Sequence, residues 1–376
     1  MRITFILPTV NMSGGIRVIS IYAKALEGMG HTVTLVSPPK KKYSFKEQLK
    51  SLVRGNGWLI QSKPISHLDS LDLNHHIIEK WRPIVESDVP DADVIIATWW
   101  ETAEWVINLP DSKGAKVYFI QHHEIHPYLP FERCKATYQL PMHKIVIAKW
   151  LKEIMSNDYF DSKTDLVPNS VDHEHFFSPI RAKQNVPTVG FLYSHSSYKG
   201  VDITLKVIDK LREQFAELRV ITFGSVKPED PTELDGRIEF HYSPAQDTIR
   251  DIYSECDVWI TASKTEGFNL PAMEAMACRT PVASTKAGWP DEAITNGLNG
   301  VLVNVDDINA LANGVATILS LTNDEWKKMS ENAHETTKNS TWDSSAKLFE
   351  AALNNACMRA CHNEISGHCI KGTINE

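Results

Sequence analysis

A chain of 376 residues exceeds one typical hydrophobic core and points to two domains of about 150 to 200 residues each. Its formal net charge of −8 offers no overall attraction to nucleic acid, and no nucleic-acid-binding motif is present. No uncharged apolar run reaches membrane-spanning length and the apolar start at 2–8 is too short for a signal peptide, so a cytoplasmic protein is expected. The six cysteines (Cys134, Cys256, Cys278, Cys357, Cys361, Cys369) are too scattered for a disulfide framework and are expected to be reduced.

Short apolar runs predict strands at 3–7, 32–36, 94–98, 116–120 and 144–147, with helical patterns between several of them. A second series is predicted at 188–192, 218–223, 238–240, 257–261, 281–284 and 300–303. Both series read as α/β units with parallel sheets. Residues 176–187 hold two prolines and no clear period, as a linker between the two units would. Expected boundaries are therefore 1–175, a linker at 176–187, and 188–340, with an amphipathic helix at 341–356 and a tail at 357–376. Cys357, Cys361, His362, His368 and Cys369 match no standard zinc spacing, so an ordinary mobile tail is expected there.

Several patterns carry chemistry. Residues 265–274 read Thr-Glu-Gly-Phe-Asn-Leu-Pro-Ala-Met-Glu, between an apolar β-branched run and an Ala/Met-rich helical one. A helix starting near Leu270 points unpaired N–H groups and a partial positive charge into the turn at Gly267, Phe268 and Asn269, which suits a diphosphate. Glu274, one turn in, is placed to accept hydrogen bonds from two vicinal hydroxyls. Gly14 and Gly15 stand at a strand-to-helix turn and let backbone approach a ligand, although Gly-x-Gly-x-x-Gly is absent. The run at 117–127 carries a strand straight into His122, His123, Glu124 and His126, where extended backbone cannot easily aim both adjacent rings at one ion. In 40–63, Lys40, Lys41, Lys42, Lys46, Lys50, Arg54 and Lys63 face only one acidic residue, Glu47, with Tyr43, Phe45, Leu49, Leu52 and Trp58 interleaved. Such a mixture fits an anionic bilayer, and a solvated basic loop is the alternative.

The segment Glu-Ala-Met-Ala-Cys-Arg-Thr-Pro-Val at 274–282, with Glu266 eight positions before Glu274, resembles the signature of the retaining glycosyltransferases of family four. The resemblance continues through 288–292, 296–297, 299–303 and Thr341-Trp342. It implies the GT-B fold, two Rossmann-like domains with parallel sheets facing across a cleft, and a C-terminal helix that crosses back to the first domain. It also implies transfer, with retention, from a nucleotide-diphosphate sugar to a glycan or lipid-linked acceptor in polysaccharide or glycolipid synthesis. No cofactor or protein-bound metal is needed, and a peripheral place at the inner membrane face follows.

By the same resemblance Gly15 faces the donor, and His122, with His123 as runner-up, bonds the donor sugar. Lys199 carries over as the cation on the diphosphate, Glu266 lies on the sugar side, and Glu274 holds the ribose. Two positions depart from the pattern. Phe191 replaces a diphosphate arginine, for which Arg17 or 194–196 would have to substitute. Arg279 replaces a glycine where the chain needs a left-handed residue, so Arg279→Gly is expected to stabilise slightly. The alternatives are a nucleotide-sugar binder without turnover, favoured by Phe191, and a nucleotide-sugar epimerase of the same fold.

Overall fold

The computed structural model describes residues 1–60, 65–230 and 232–367. Lys63, His368 and Cys369 lie outside the described residues. The chain divides into a first unit, Met1–Val146, Leu151–Val167 and Ala346–Glu376, and a second, Ile147–Trp150 and Pro168–Ser345.

In the first unit the strands are β1 (Arg2–Ile6), β2 (Thr32–Ser37), β3 (His75–Ile77), β4 (Val94–Ala97), β5 (Ala115–Ile120), β6 (His143–Val146) and β7 (Asp165–Leu166). All pair in parallel in the order β3-β2-β1-β4-β5-β6-β7. Every residue of β4 and β5 is buried, as in a sheet covered on both faces, which is why β4 reads as an unbroken apolar run and β5 as one interrupted only by Lys116, whose ammonium donates to Ile107 O and Leu109 O. The edge strands β3 and β7 were not expected, because three and two residues with His and Asp among them leave no apolar run to read.

The helix Trp342–Cys361 runs past its expected end. Ala346, Phe349, Leu353, Ala356 and Ala360 are all buried at helical spacing, and the later members of this stripe are alanines that bulk alone does not reveal. Phe349 is packed into the first unit's core, its ring 4.5 Å from Tyr22 and 5.1 Å from Phe119. Residues 357–361, expected in the tail, are thus helical. Cys361 is disulfide-bonded while Cys134, Cys256, Cys278 and Cys357 are free thiols, which corrects the expectation of six reduced cysteines. Scarcity of cysteine argues against a framework of bridges and does not bear on a single one.

The second unit holds β8 (Thr188–Leu192), β9 (Arg219–Gly224), β10 (Ile238–Tyr242), β11 (Val258–Thr261), β12 (Val282–Thr285) and β13 (Gly300–Val303), parallel in the order β10-β9-β8-β11-β12-β13. This is the doubly wound nucleotide-binding order, in which the chain reverses direction between the first and fourth strands, here β8 and β11. Those two strands come close because Gly190 has no side chain. A Cβ there would lie 2.5 Å from Cys256 Sγ and 2.6 Å from the Trp259 ring. The stretch 176–187, expected as a linker, is irregular yet anchored on this unit. Arg181 donates to Thr280 Oγ1 at 2.9 Å and lies 4.5 Å from the Trp326 ring, and Gln184 N–H donates to Asp257 at 2.8 Å.

The helix Leu270–Ala277 ends as the sequence requires. Arg279 has φ +61°, its N–H donates to Met276 O at 3.0 Å, and Thr280 N–H reaches Ala275 O at 2.9 Å, the paired bonds of a Schellman end. The guanidinium, however, is engaged. Nε donates to Ser178 O at 2.9 Å, and Nη1 lies 2.7 Å from Glu331 Oε2 as an ion pair without hydrogen-bond alignment. A left-handed residue with a Cβ costs about 1–2 kcal/mol, whereas a hydrogen bond from a charged donor stabilises by about 1.5–3 kcal/mol. Arg279→Gly is therefore expected to destabilise the fold by about 1 kcal/mol, reversing the sign given by backbone alone. A urea midpoint above that of the wild type would refute this compensation.

Candidate functional site

Where a doubly wound sheet reverses, loops leave the carboxyl ends of two neighbouring strands in opposite directions and open a crevice. In the second unit that crevice is lined by the ends of β8 and β11, with Lys199, Ser263, Glu266 and Asn269 among its side chains. Two loops build it, and both are held by close backbone approach. Gly200 has φ +65°, and a Cβ there would fall 2.0 Å from Ala262 O, so only glycine brings Lys199 this near the end of β11. Lys264 N–H donates to Tyr198 O at 2.7 Å and ties the two loops directly.

Within the crevice Lys199 Nζ is 2.8 Å from both oxygens of Glu266, and Ser263 Oγ donates to Glu266 Oε1 at 2.7 Å. Glu266 is 7% exposed, so its charge depends on these donors. An ammonium carries three N–H groups, and two are directed at Glu266.

Asn269 starts the helix Leu270–Ala277 from a left-handed conformation, φ +80°. Its Nδ2 donates to Thr261 Oγ1 at 2.9 Å, and its Oδ1 caps Ala272 N–H at 3.4 Å. Among the described residues the N–H groups of Gly267, Phe268 and Leu270 meet no protein acceptor. The turn is braced from behind. Phe268 stacks on Trp289 at 5.9 Å, Phe268 O accepts Trp289 N–H at 2.7 Å, and a Cβ on Gly288 would lie 2.7 Å from Phe268 O and 2.9 Å from Glu266 Cβ. Trp150 Nε1 donates to Gly267 O at 3.0 Å.

Glu274 does not line the crevice. It is 4% exposed and accepts the Tyr253 hydroxyl at 2.9 Å, so the two glutamates of the spacing motif turn to different partners. Phe191 is 1% exposed with its ring in the core, and of the residues 194–196 expected to substitute for the arginine, His195 bonds Lys227 O at 2.7 Å. Arg279 is held at the other end of the helix. Sequence reasoning missed Ser263, Tyr253, Gly288 and Trp150. Gly288 alone carried a signal, as a glycine opening the matched run at 288–292.

In the first unit Gly14 and Gly15, expected at a strand-to-helix turn, form the first turn of the helix Gly14–Gly28 itself. A Cβ on Gly14 would meet nothing within 4 Å, and one on Gly15 would meet only the Gln121 amide at 3.4 Å, so the packing of this unit makes little demand for glycine here. Gln121 Nε2 donates to Gly15 O at 3.2 Å and brings the end of β5 beside this turn. The adjacent histidines differ. His123 Nε2 pairs with Tyr159 OH at 2.8 Å, and its ring packs 5.2 Å from Tyr138, with burial holding its pKa below the usual value. His122 is fixed through Nδ1 to His123 O at 3.0 Å, and its ring is 4.8 Å from that of His126. Among the described residues no group of His, Cys, Asp and Glu is arranged to hold a metal ion.

Glu124, 3% exposed, organises this end of the sheet. It accepts Trp100 N–H at 2.9 Å and faces Tyr118 OH at 3.4 Å, while its own N–H donates to Tyr138 OH at 2.7 Å. Burial pushes its carboxyl well above the ordinary value of 4.5.

Residues 172–336, a little under half of the chain, match the family model described as glycosyl transferases group 1. The D-inositol 3-phosphate glycosyltransferase of Corynebacterium efficiens is 28% identical over 201 residues, covering 50% of this chain and 46% of that protein. The gpi3 subunit of phosphatidylinositol N-acetylglucosaminyltransferase from Schizosaccharomyces pombe is 25% identical over 204 residues, 52% of this chain and 44% of that one. The chain thus spans about half the length of the curated relatives it matches. Among solved structures, HepE from Anabaena in complex with UDP-glucose superposes with a TM-score of 0.67 at 17% identity, covering 94% of this chain and 100% of that one. Sucrose-phosphate synthase from Thermosynechococcus elongatus gives 0.69 at 16%, covering 94% and 98%. The fold is GT-B, α/β with two Rossmann-like units, and the matched family supports a group 1 glycosyltransferase.

Glu124 gives a pH signature. A carboxyl whose folded pKa is raised contributes stability that is fully present below its ordinary value of 4.5 and lost as pH rises through the folded pKa. Glu124→Gln removes that contribution. The difference in melting temperature between Glu124→Gln and wild type should grow in favour of the variant from about pH 5 to about pH 8. A pH-independent difference would show that Glu124 titrates as it does unfolded.

Proposed function

We infer that this protein transfers a sugar, with retention, from a nucleotide-diphosphate sugar to a glycan or lipid-linked acceptor. The observation that carries this reading is the crevice at the sheet reversal, lined by Lys199 and by Asn269 at the start of a helix, beside a turn whose Gly267, Phe268 and Leu270 N–H groups meet no protein acceptor among the described residues. Preorganised donors of this kind stabilise negative charge that develops on a leaving diphosphate, and they need no reorganisation as the bond breaks. Lys199, shared with Glu266, keeps one N–H for a phosphate oxygen and holds the Glu266 carboxylate toward the sugar side. Glu266 then bonds sugar hydroxyls and offsets positive charge at the anomeric carbon. The leaving diphosphate takes the acceptor proton, so no separate protein base is assigned and no cofactor or metal is invoked.

Glu274 is assigned to the ribose, exchanging the Tyr253 hydroxyl for the two ribose hydroxyls when the nucleotide binds. Gly15 and His122 are assigned to the donor from the first unit. The commitment of His123 to Tyr159 supports His122 over its neighbour. A lipid-linked acceptor places the enzyme at the cytoplasmic face of an anionic membrane. Among the described residues no helix is long and apolar enough to cross one. Phe191 in place of a diphosphate cation favours the second reading, a nucleotide-sugar binder without turnover.

Thermal-shift screening with nucleoside diphosphates and their sugars separates these readings, followed by assay of diphosphate release with and without acceptor. Full release without acceptor would indicate an epimerase or hydrolase, and tight binding with no turnover on any acceptor would indicate the binder. Glu274→Gln should weaken nucleoside diphosphate binding at least about tenfold, because a charge-assisted hydrogen bond is worth about 1.5–3 kcal/mol. Unchanged affinity by calorimetry would remove Glu274 from the site. His122→Ala should lower turnover while leaving nucleoside diphosphate affinity intact, and His123→Ala should instead lower the melting temperature. Identical effects of the two changes would withdraw the assignment of His122.

A further inference from the structure

The helix Phe45–Val53 is attached to its own unit by polar residues. Its start is set by a capping box, with Ser44 Oγ accepting Glu47 N–H at 3.3 Å and the Glu47 carboxylate accepting Ser44 N–H at 2.6 Å. The helix buries Gln48 and Ser51. Gln48 exchanges two hydrogen bonds with the Leu59 backbone, at 3.0 and 2.9 Å, and Ser51 Oγ donates to Gly57 O at 2.8 Å.

This attachment turns the apolar side outward. Phe45, Leu49, Leu52 and Val53 are 77%, 52%, 45% and 81% exposed and fall at i, i+4, i+7 and i+8, one stripe of the helix. Trp58 and Ile60 extend it at 60% and 87% exposure. A surface helix ordinarily has the opposite sense, and a contiguous exposed apolar patch marks an interaction site. Lys42, Lys46, Lys50 and Arg54 are exposed on the same segment, where Glu47 is the only acidic residue between 40 and 60, in a chain whose net charge is −8.

We propose that this face docks the protein on an anionic lipid bilayer, the apolar stripe entering the interface and the flanking cations meeting the headgroups. The inference rests on the reading of a membrane-located acceptor and names the element that makes the contact. Charge complementarity selects the occupant. A two-fold pairing of two copies through this face would bring like cations together, whereas an anionic surface meets them with opposite charge across their whole extent.

The test is flotation of the full chain with phosphatidylglycerol-containing vesicles and with pure phosphatidylcholine vesicles, at low and high salt. Binding is expected to the anionic vesicles alone and to fall as salt rises. Lys42→Gln/Lys46→Gln/Lys50→Gln should lower the partition coefficient about a hundredfold, at about 1 kcal/mol for each cation near the surface. Leu49→Ser/Leu52→Ser/Val53→Ser should abolish flotation with little change in the melting temperature, because these side chains already face water. Equal binding to neutral vesicles, no binding to anionic ones, or wild-type self-association that the serine variant abolishes would each overturn the proposal. Nucleoside diphosphate affinity measured on the same samples keeps this outcome separate. If it is normal while flotation fails, only the docking proposal falls, and if it is absent the transferase reading fails by itself.

Discussion

One side-chain amide ties together the turn that follows β11 in the second unit. Asn269 holds the last residue of β11 with one end of its amide and caps the following helix with the other, from a backbone conformation few residues adopt without strain. Because the strand end and the helix start are fixed to each other, the N–H groups between them keep their direction without a ligand. Gly200 and Gly288 then press against this turn from two sides, at Ala262 O and Phe268 O. A turn can be held this closely only where the chain around it leaves no room for side chains, and glycine at these two positions meets that requirement.

Electrostatics in the crevice follow from the same crowding. Glu266 is nearly buried, and an unpaired carboxylate there would be costly, so the fold itself calls for Lys199 and Ser263 beside it. On the proposed transferase reading, this pair is a store of opposite charges that a bound diphosphate and sugar would divide, the ammonium toward the phosphates and the carboxylate toward the hydroxyls. Glu274 meets its own desolvation differently, through Tyr253.

Much of this was legible in the sequence. Apolar runs located the central strands because parallel sheets bury both faces, and β8 and β13 have the bounds that their runs predict. The left-handed residue at Arg279 followed from a helix that must turn at once into a strand. What stayed hidden was whatever depends on distant partners. The Lys199–Glu266 pair joins residues far apart in the chain, and the guanidinium of Arg279 finds Ser178 and Glu331, contacts no local pattern announces. The segment at 40–60 was readable as basic and apolar. Its orientation was not, since it is set by bonds from Gln48 and Ser51 to a loop whose path the sequence does not give.

The position of Phe349 bears on how the chain is made. Its ring fills the middle of the first unit, against Phe5, Tyr22 and Phe119, yet it is synthesised after all of the second unit. A ribosome therefore releases a second unit whose residues are all present while the first still lacks the helix that closes its interior. During that interval the rings of Phe5, Tyr22 and Phe119 face water or a chaperone, and the half of the protein that begins the chain is the half that finishes folding last.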